Sequence, residues 1–199
     1  TAYADRPGRW VAEDGWPAPR LQQRVHALGA GRLIPEGREP SAEDREPQRI
    51  CSPLSVGLFA GKWCSYSGAP DLPGDQRQED GGALVFDTPP LQQPLEILGG
   101  AEVELELTAD RPVAMVCARL SDVAPDGTAT RVTYGLRNLT HRESHERPSP
   151  LPENTPVRVR VKLNDVAQTF PAGHRLRLAL SNSYFPLAWP APERASLVI

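Results

Sequence analysis

Val157-Arg158-Val159-Arg160-Val161-Lys162-Leu163 alternates apolar and basic residues without a break. Successive side chains of a strand point to opposite faces, so this segment reads as a strand with its valines inward and its arginines facing water. Ala101 to Leu107 is its acidic counterpart, with Val103, Leu105 and Leu107 on one face and Glu102, Glu104 and Glu106 on the other. Val113 to Val123 is more continuously apolar, as a buried strand is. It ends in Ala124-Pro125-Asp126-Gly127, which has turn chemistry, and Thr128 to Leu139 forms the returning partner. Ala83-Leu84-Val85-Phe86 stops at Thr88-Pro89-Pro90, and Arg175 to Leu180 alternates again after the turn Phe170-Pro171-Ala172-Gly173-His174. About nine strands at spacings of roughly 8–12 residues predict an all-β antiparallel sandwich, most simply a jelly roll.

Composition points the same way. The 199 residues include 22 prolines and 16 glycines, too many breaks for long helices. Lysines and arginines number 22 against 25 acidic residues, a net charge of −3, so there is no basic field to hold a nucleic-acid backbone. No apolar run approaches the roughly 18 residues of a membrane span. At this length folding can bury roughly 70% of the surface that the unfolded chain exposes, so neither disulfide nor structural metal is required. Cys51, Cys64 and Cys117 are an odd set, read as free thiols of a reducing, cytoplasmic compartment.

Two parts are expected. Residues 1–49 read as an extended arm and loop, with turn formers at Arg6-Pro7-Gly8, Gly15-Trp16-Pro17 and Gly29-Ala30-Gly31 and a charged stretch from Glu36 to Arg49. Its apolar residues, Trp10, Val11, Trp16, Leu21, Val25, Leu28, Leu33 and Ile34, are too sparse for a core and are expected to lie along another surface. Residues 50–199 read as the sandwich. The start at Thr1 and the apolar end Ser196-Leu197-Val198-Ile199 read as cut from something longer, the sandwich being truncated at its C-terminal end.

Candidate chemistry is thin. The cluster Cys64-Ser65-Tyr66-Ser67-Gly68 lacks the first glycine of the strained Gly-x-Ser-x-Gly elbow and runs into Ala69-Pro70-Asp71. His141 and His145 have the i, i+4 spacing of a zinc pair, but Pro148 and Pro150 follow and a third ligand is missing. Cys51 and Cys64 form no Cys-x-x-Cys unit. The Asn138-Leu139-Thr140 sequon matters only in a glycosylating compartment. Asp75-Gln76-Arg77 with Glu79 and Asp80 reads either as a hydrogen-bonded knot around a bidentate arginine or as a turn with its charges in water. Trp10, Trp16, Trp63 and Trp189 suit docking contacts, or a sugar-stacking platform if the sandwich is a stand-alone carbohydrate-binding module.

Several stretches in order carry a family likeness: Arg9-Trp10 with Trp16-Pro17, then Pro70-Asp71-Leu72-Pro73-Gly74-Asp75-Gln76-Arg77-Gln78-Glu79-Asp80, then Leu84-Val85-Phe86 followed by Pro90-Leu91 and Leu95-Glu96-Ile97-Leu98-Gly99. Leu120-Ser121-Asp122-Val123 with Pro125-Asp126-Gly127, and Phe170 through Leu178, continue the series. Together they resemble the C-terminal domain of X-Pro dipeptidyl-peptidases and cocaine-esterase-like (CocE/NonD) acyl hydrolases. The ending Tyr184 to Glu193 resembles the acyl hydrolases more, while Val113-Ala114-Met115-Val116-Cys117 stands where many members have an aspartate-rich strand.

The resemblance implies a galactose-binding-like jelly roll. It implies serine catalysis on a preceding α/β-hydrolase domain, so that no catalytic residue, metal ligand or cofactor contact falls on this chain. That hydrolase domain is the implied partner, with subunit association as a further role. Asp75, Gln76, Arg77 and Asp80 match the family's charged motif and are placed at a strand entry near the domain junction. Asp126 and Gly127, and Gly173 and His174, match its turns.

Overall fold

The computed structural model describes residues 8–64 and 71–199. Along them run β1 (His26–Leu28), β2 (Leu33–Pro35), β3 (Arg49–Ile50), a one-turn helix α1 (Arg77–Asp80), β4 (Leu84–Asp87), β5 (Leu95–Gly99), β6 (Glu102–Ala109), β7 (Met115–Val123), β8 (Ala129–Asn138), β9 (Val157–Lys162), β10 (Val166–Phe170), β11 (Arg175–Ser181) and β12 (Leu197–Val198). Two four-stranded antiparallel sheets, in the orders β4-β11-β7-β8 and β3-β12-β6-β9, form a β-sandwich. The strand order is compatible with the jelly-roll form.

The period-2 segments set the sandwich. β6 and β9 pair Glu104 with Arg160 and Glu106 with Arg158, and their inner residues Val103, Leu105, Leu107, Val159 and Val161 enter the core. From the facing sheet come Phe86, Val116, Ala118, Leu120, Leu178 and Leu180. Leucines and phenylalanines buried this fully are each worth about 1.5–3 kcal/mol. Outside, Arg160 pairs with Glu104 at 2.5 Å and Glu102 at 3.0 Å, and Arg158 with Glu106 at 3.2 Å. With Arg158 90% exposed, these pairs set register more than stability.

Residues 26–35 differ from the expected extended arm. β1 and β2 make a hairpin, Ala27 opposite Ile34, and Leu33 and Ile34 are buried. Arg32 bridges to Asp87, and the Asp87 N–H donates to the Gly31 carbonyl, which docks the hairpin on the edge of β4. Strands of three residues carry too little alternation to be read locally. The 36–49 stretch is likewise more than a solvated loop. Asp44, 6% exposed, accepts from the Ala30 and Ser41 amides, the Ser41 hydroxyl and the Arg32 guanidinium, at 2.5 to 3.0 Å. Upstream, Trp10, Val11, Trp16, Leu21 and Val25 are exposed, Trp10 completely.

The Arg32 and Ser41 bonds hold the Asp44 carboxyl well below the usual carboxylate range. A carboxyl lowered on folding stabilises the fold above its unfolded value, near 4, and that contribution is lost as pH falls through the folded value. Acidification below about pH 4 is therefore expected to lower the protection factors of the Ala30 and Ser41 amides, measured by hydrogen exchange corrected for intrinsic rate. Asp44→Asn is expected to remove most of this pH dependence. Equal protection in both proteins across the acid range would contradict the role given to Asp44.

Candidate functional site

β7 turns two faces in different directions. Val116, Ala118 and Leu120 enter the sandwich core, while Met115, Cys117 and Arg119 lie on the outer face of their sheet. The antiparallel register lines up Asp87, Arg177 and Ser121 in one row across β4, β11 and β7, and Val85, Ala179, Arg119 and Tyr134 in the next, which reaches β8. A bulge opposite Leu120/Ser121 switches β8 between faces, so that Val132 meets the core but Tyr134 the outer cluster. Arg131 thereby shares the outer face with Tyr134, its guanidinium 4.5 Å from the ring centre.

An arginine on a sheet face needs cover and partners once water is excluded. Arg119 is wholly buried. Its Nη1 donates to Gln76 Oε1 at 3.0 Å, its Nη2 lies 3.2 Å from Asp80 Oδ1, and its guanidinium stands 5.6 Å from the Tyr184 ring centre. The other Asp80 oxygen, Oδ2, accepts from Arg177 Nη1 at 3.0 Å, and Arg177 donates twice to Asp87, both at 2.7 Å. Charges thus alternate along Arg119, Asp80, Arg177 and Asp87. Burial pushes the Asp80 carboxyl up and the two arginines pull it back. The Asp87 and Asp80 bonds hold Arg177 firmly protonated.

The other members of α1 and its approach grip the segment from Pro53 to Ala60. Glu79, 1% exposed, accepts the Gly57 and Phe59 amides at 2.5 Å each. Gln76 Nε2 donates to the Phe59 and Gly74 carbonyls, and Arg131 Nη1 to the Ala60 carbonyl and the Tyr184 hydroxyl. Beneath lie Val56, Ala60, Met115, Cys117 and Tyr184. Burial raises both the Cys117 thiol and the Tyr184 hydroxyl to about 12, so each stays neutral at physiological pH.

Of the residues singled out from sequence, Gln76, Glu79 and Asp80 enter this cluster. Asp75 and Arg77 face outward: Arg77, 57% exposed in its side chain, pairs with Asp75 at 2.6 Å, and Asp75 accepts the Ala129 amide. The bidentate arginine of the knot is Arg177 rather than Arg77. Asp126 accepts the Thr128 amide, which draws its carboxyl below the ordinary value, and Gly127 and Gly173 take positive φ of 86° and 81°. His174 Nδ1 lies 2.7 Å from the buried Asp122. That is a base with its orienting acid, yet among the described residues no hydroxyl or thiol is hydrogen-bonded to the ring.

His141 and His145 sit with ring centres 5.4 Å apart, and no group of three or more histidine, cysteine or acidic side chains assembles a metal site among the described residues. Ser65 and Ser67 lie outside the described residues. Arg119, Arg131 and Arg177 escaped the sequence reading. Arg119 inside a continuously apolar strand was the available signal, because a charge there demands partners.

A family model described as "X-Pro dipeptidyl-peptidase C-terminal non-catalytic domain" matches residues 1–198. A cocaine esterase from Rhodococcus is 28% identical over 186 residues, covering 89% of this chain and 32% of that protein. A Mycobacterium bovis protein is 24% identical over 195 residues, covering 88% and 31%. The chain thus spans about a third of the length of these relatives. An α-amino acid ester hydrolase structure superposes with a TM-score of 0.72 at 23% identity, over 88% of this chain and 33% of that one. An aminopeptidase from a marine sediment thaumarchaeon gives 0.74 at 22%, over 96% and 36%. These two likenesses establish the shared fold.

The charge cluster predicts a contrast within one motif. Asp80→Ala leaves Arg119 buried with one anionic partner fewer and is expected to cost about 3–5 kcal/mol in urea unfolding. Arg77→Ala, at an exposed local pair, is expected to change stability by no more than about 0.5 kcal/mol. Equal losses in the two variants would contradict the assignment.

Proposed function

This chain belongs to the family of X-Pro dipeptidyl-peptidase C-terminal non-catalytic domains, and from that premise we propose that it is the accessory β-sandwich of a modular serine hydrolase acting on acyl esters or X-Pro peptides. In this reading the sandwich supports an α/β-hydrolase domain of the same polypeptide, walls part of its substrate cleft and contributes to subunit association. Bond cleavage takes place on the hydrolase domain. The observation that carries the proposal is the family match over residues 1–198, joined to relatives about three times as long as this chain.

The chemistry of the outer-face cluster supports the same reading. Its charges are consumed in ion pairs and in bonds to backbone, its thiol and phenol are held neutral, and what it organises is the shape of a surface segment. Asp75, Gln76, Arg77 and Asp80 are proposed to serve the junction with the hydrolase domain, Gln76 and Asp80 from within and Asp75 and Arg77 from the exposed side.

The test uses a fluorophosphonate probe, which labels activated serines. The full-length gene product is expected to be labelled at a serine outside these 199 residues and to hydrolyse activated acyl esters or X-Pro anilides. The 199-residue chain alone is expected to give neither label nor turnover. Labelling at Ser65, Ser67 or any other serine of this chain would overturn the proposal.

A further inference from the structure

The segment held by Glu79 buries Val56 and Ala60 but turns its two leucines outward. Leu54 and Leu58 are 69% and 70% exposed, although the backbone between and after them is fixed by Glu79, Gln76 and Arg131. Against this segment lies the loop that follows β11. Gly57, at φ +121°, approaches the Phe185 backbone so closely that a Cβ there would stand 2.0 Å from the Phe185 carbonyl oxygen. Phe185 and Trp189 stack with ring centres 5.3 Å apart, and Trp189 is 82% exposed. Beside Leu54 a cavity of about 410 Å³ opens between Pro53 and the 190–195 stretch. Leu54, Leu58, Phe185 and Trp189 thus stand exposed on two segments whose backbones adjoin at Gly57 and Phe185.

Large aromatics beside a pocket, with a buried polar network behind them, have the make-up of an interface core. An apolar patch of this kind seldom stays bare on a soluble protein. The occupant follows from length: the relatives carry about two thirds of their chain outside the matched region, and the family is by description the non-catalytic part. We infer that the Leu54, Leu58, Phe185 and Trp189 face is the surface on which the hydrolase domain of the same polypeptide packs, with Glu79 as the positioning residue that holds it in shape. This rests on the accessory-domain reading. It assigns the contact to this face and not to the exposed arm residues Trp10, Trp16 and Val25.

Hydroxyl-radical footprinting of the full-length protein tests it, with each side chain's oxidation rate compared with the rate after unfolding in urea. Trp189, Leu58 and Phe185 are expected to react roughly tenfold more slowly in the folded protein, because a packed interface core excludes water. Glu79→Ala in the same polypeptide is expected to restore much of the Trp189 and Leu58 reactivity. Should that variant fail to fold, Glu79→Gln, which keeps one acceptor, takes its place with a smaller expected rise. Full reactivity at Trp189 and Leu58 with Trp10 and Trp16 protected would overturn the inference and leave the accessory reading standing. Full reactivity at both sets would overturn the inference and the docking part of that reading together. Protection that disappears on dilution, with a fall in sedimentation coefficient, would assign the face to a second copy and overturn the inference.

Discussion

Arg119 cannot be removed from water without an anion, an amide and a ring brought to it. A guanidinium in the interior costs several kcal/mol in lost hydration, which the Asp80 charge and the Gln76 hydrogen bond offset while Arg119 Nε and Nη2 make no hydrogen bond. Asp80 and Gln76 arrive from α1 and its approach, and Tyr184 from the loop after β11. One side chain at the middle of β7 thereby fixes where three chain segments lie on the outer face of the sheet. Arg177 extends the constraint to β4 through Asp87, so the edge strand, the helix and the centre of the sheet are linked by one chain of alternating charge. Uncharged residues of similar volume would hold the same segments with less directional demand.

The sandwich was legible in the sequence wherever the signal was local. β6 and β9 alternate for six or more residues, and a one-residue slip would turn Val103, Leu105, Val159 and Val161 outward, so pattern and structure agree there. β7 was legible as buried from its continuous apolar run. β1, β2 and β3, at two or three residues each, were not, since their pairing is decided by what they meet and not by their own composition. Asp44 shows the same limit: a charged stretch read as solvated hides one carboxylate whose five donors come from three separate positions.

The charge cluster was half legible. Four charged residues and an amide within six positions announce a knot, and Gln76, Glu79 and Asp80 are in it. The choice between Arg77 and Arg177 as its bidentate arginine turns on which side of α1 faces the sheet, a matter of tertiary placement. Arg77 is two residues from Asp75 and satisfies itself locally. Arg177 lies opposite Asp87 across the β4–β11 ladder, a register that no short window contains.

Glu79 shows how the interior of this chain acts on its surface. A carboxylate accepting two neighbouring amides fixes both peptide planes of a turn at once, and the side chain between those amides, Leu58, has one direction left to take. That direction is outward, at 70% exposure. If folding of the sandwich alone governed this turn, Leu58 would be expected inside with Val56 and Ala60, where apolar burial is favourable by about 25 cal/mol per Å². The buried hydrogen bonds instead hold an apolar side chain in solvent within the isolated chain. Such an arrangement lowers the ordering cost of a later contact, because the turn is already in its bound shape before any partner arrives.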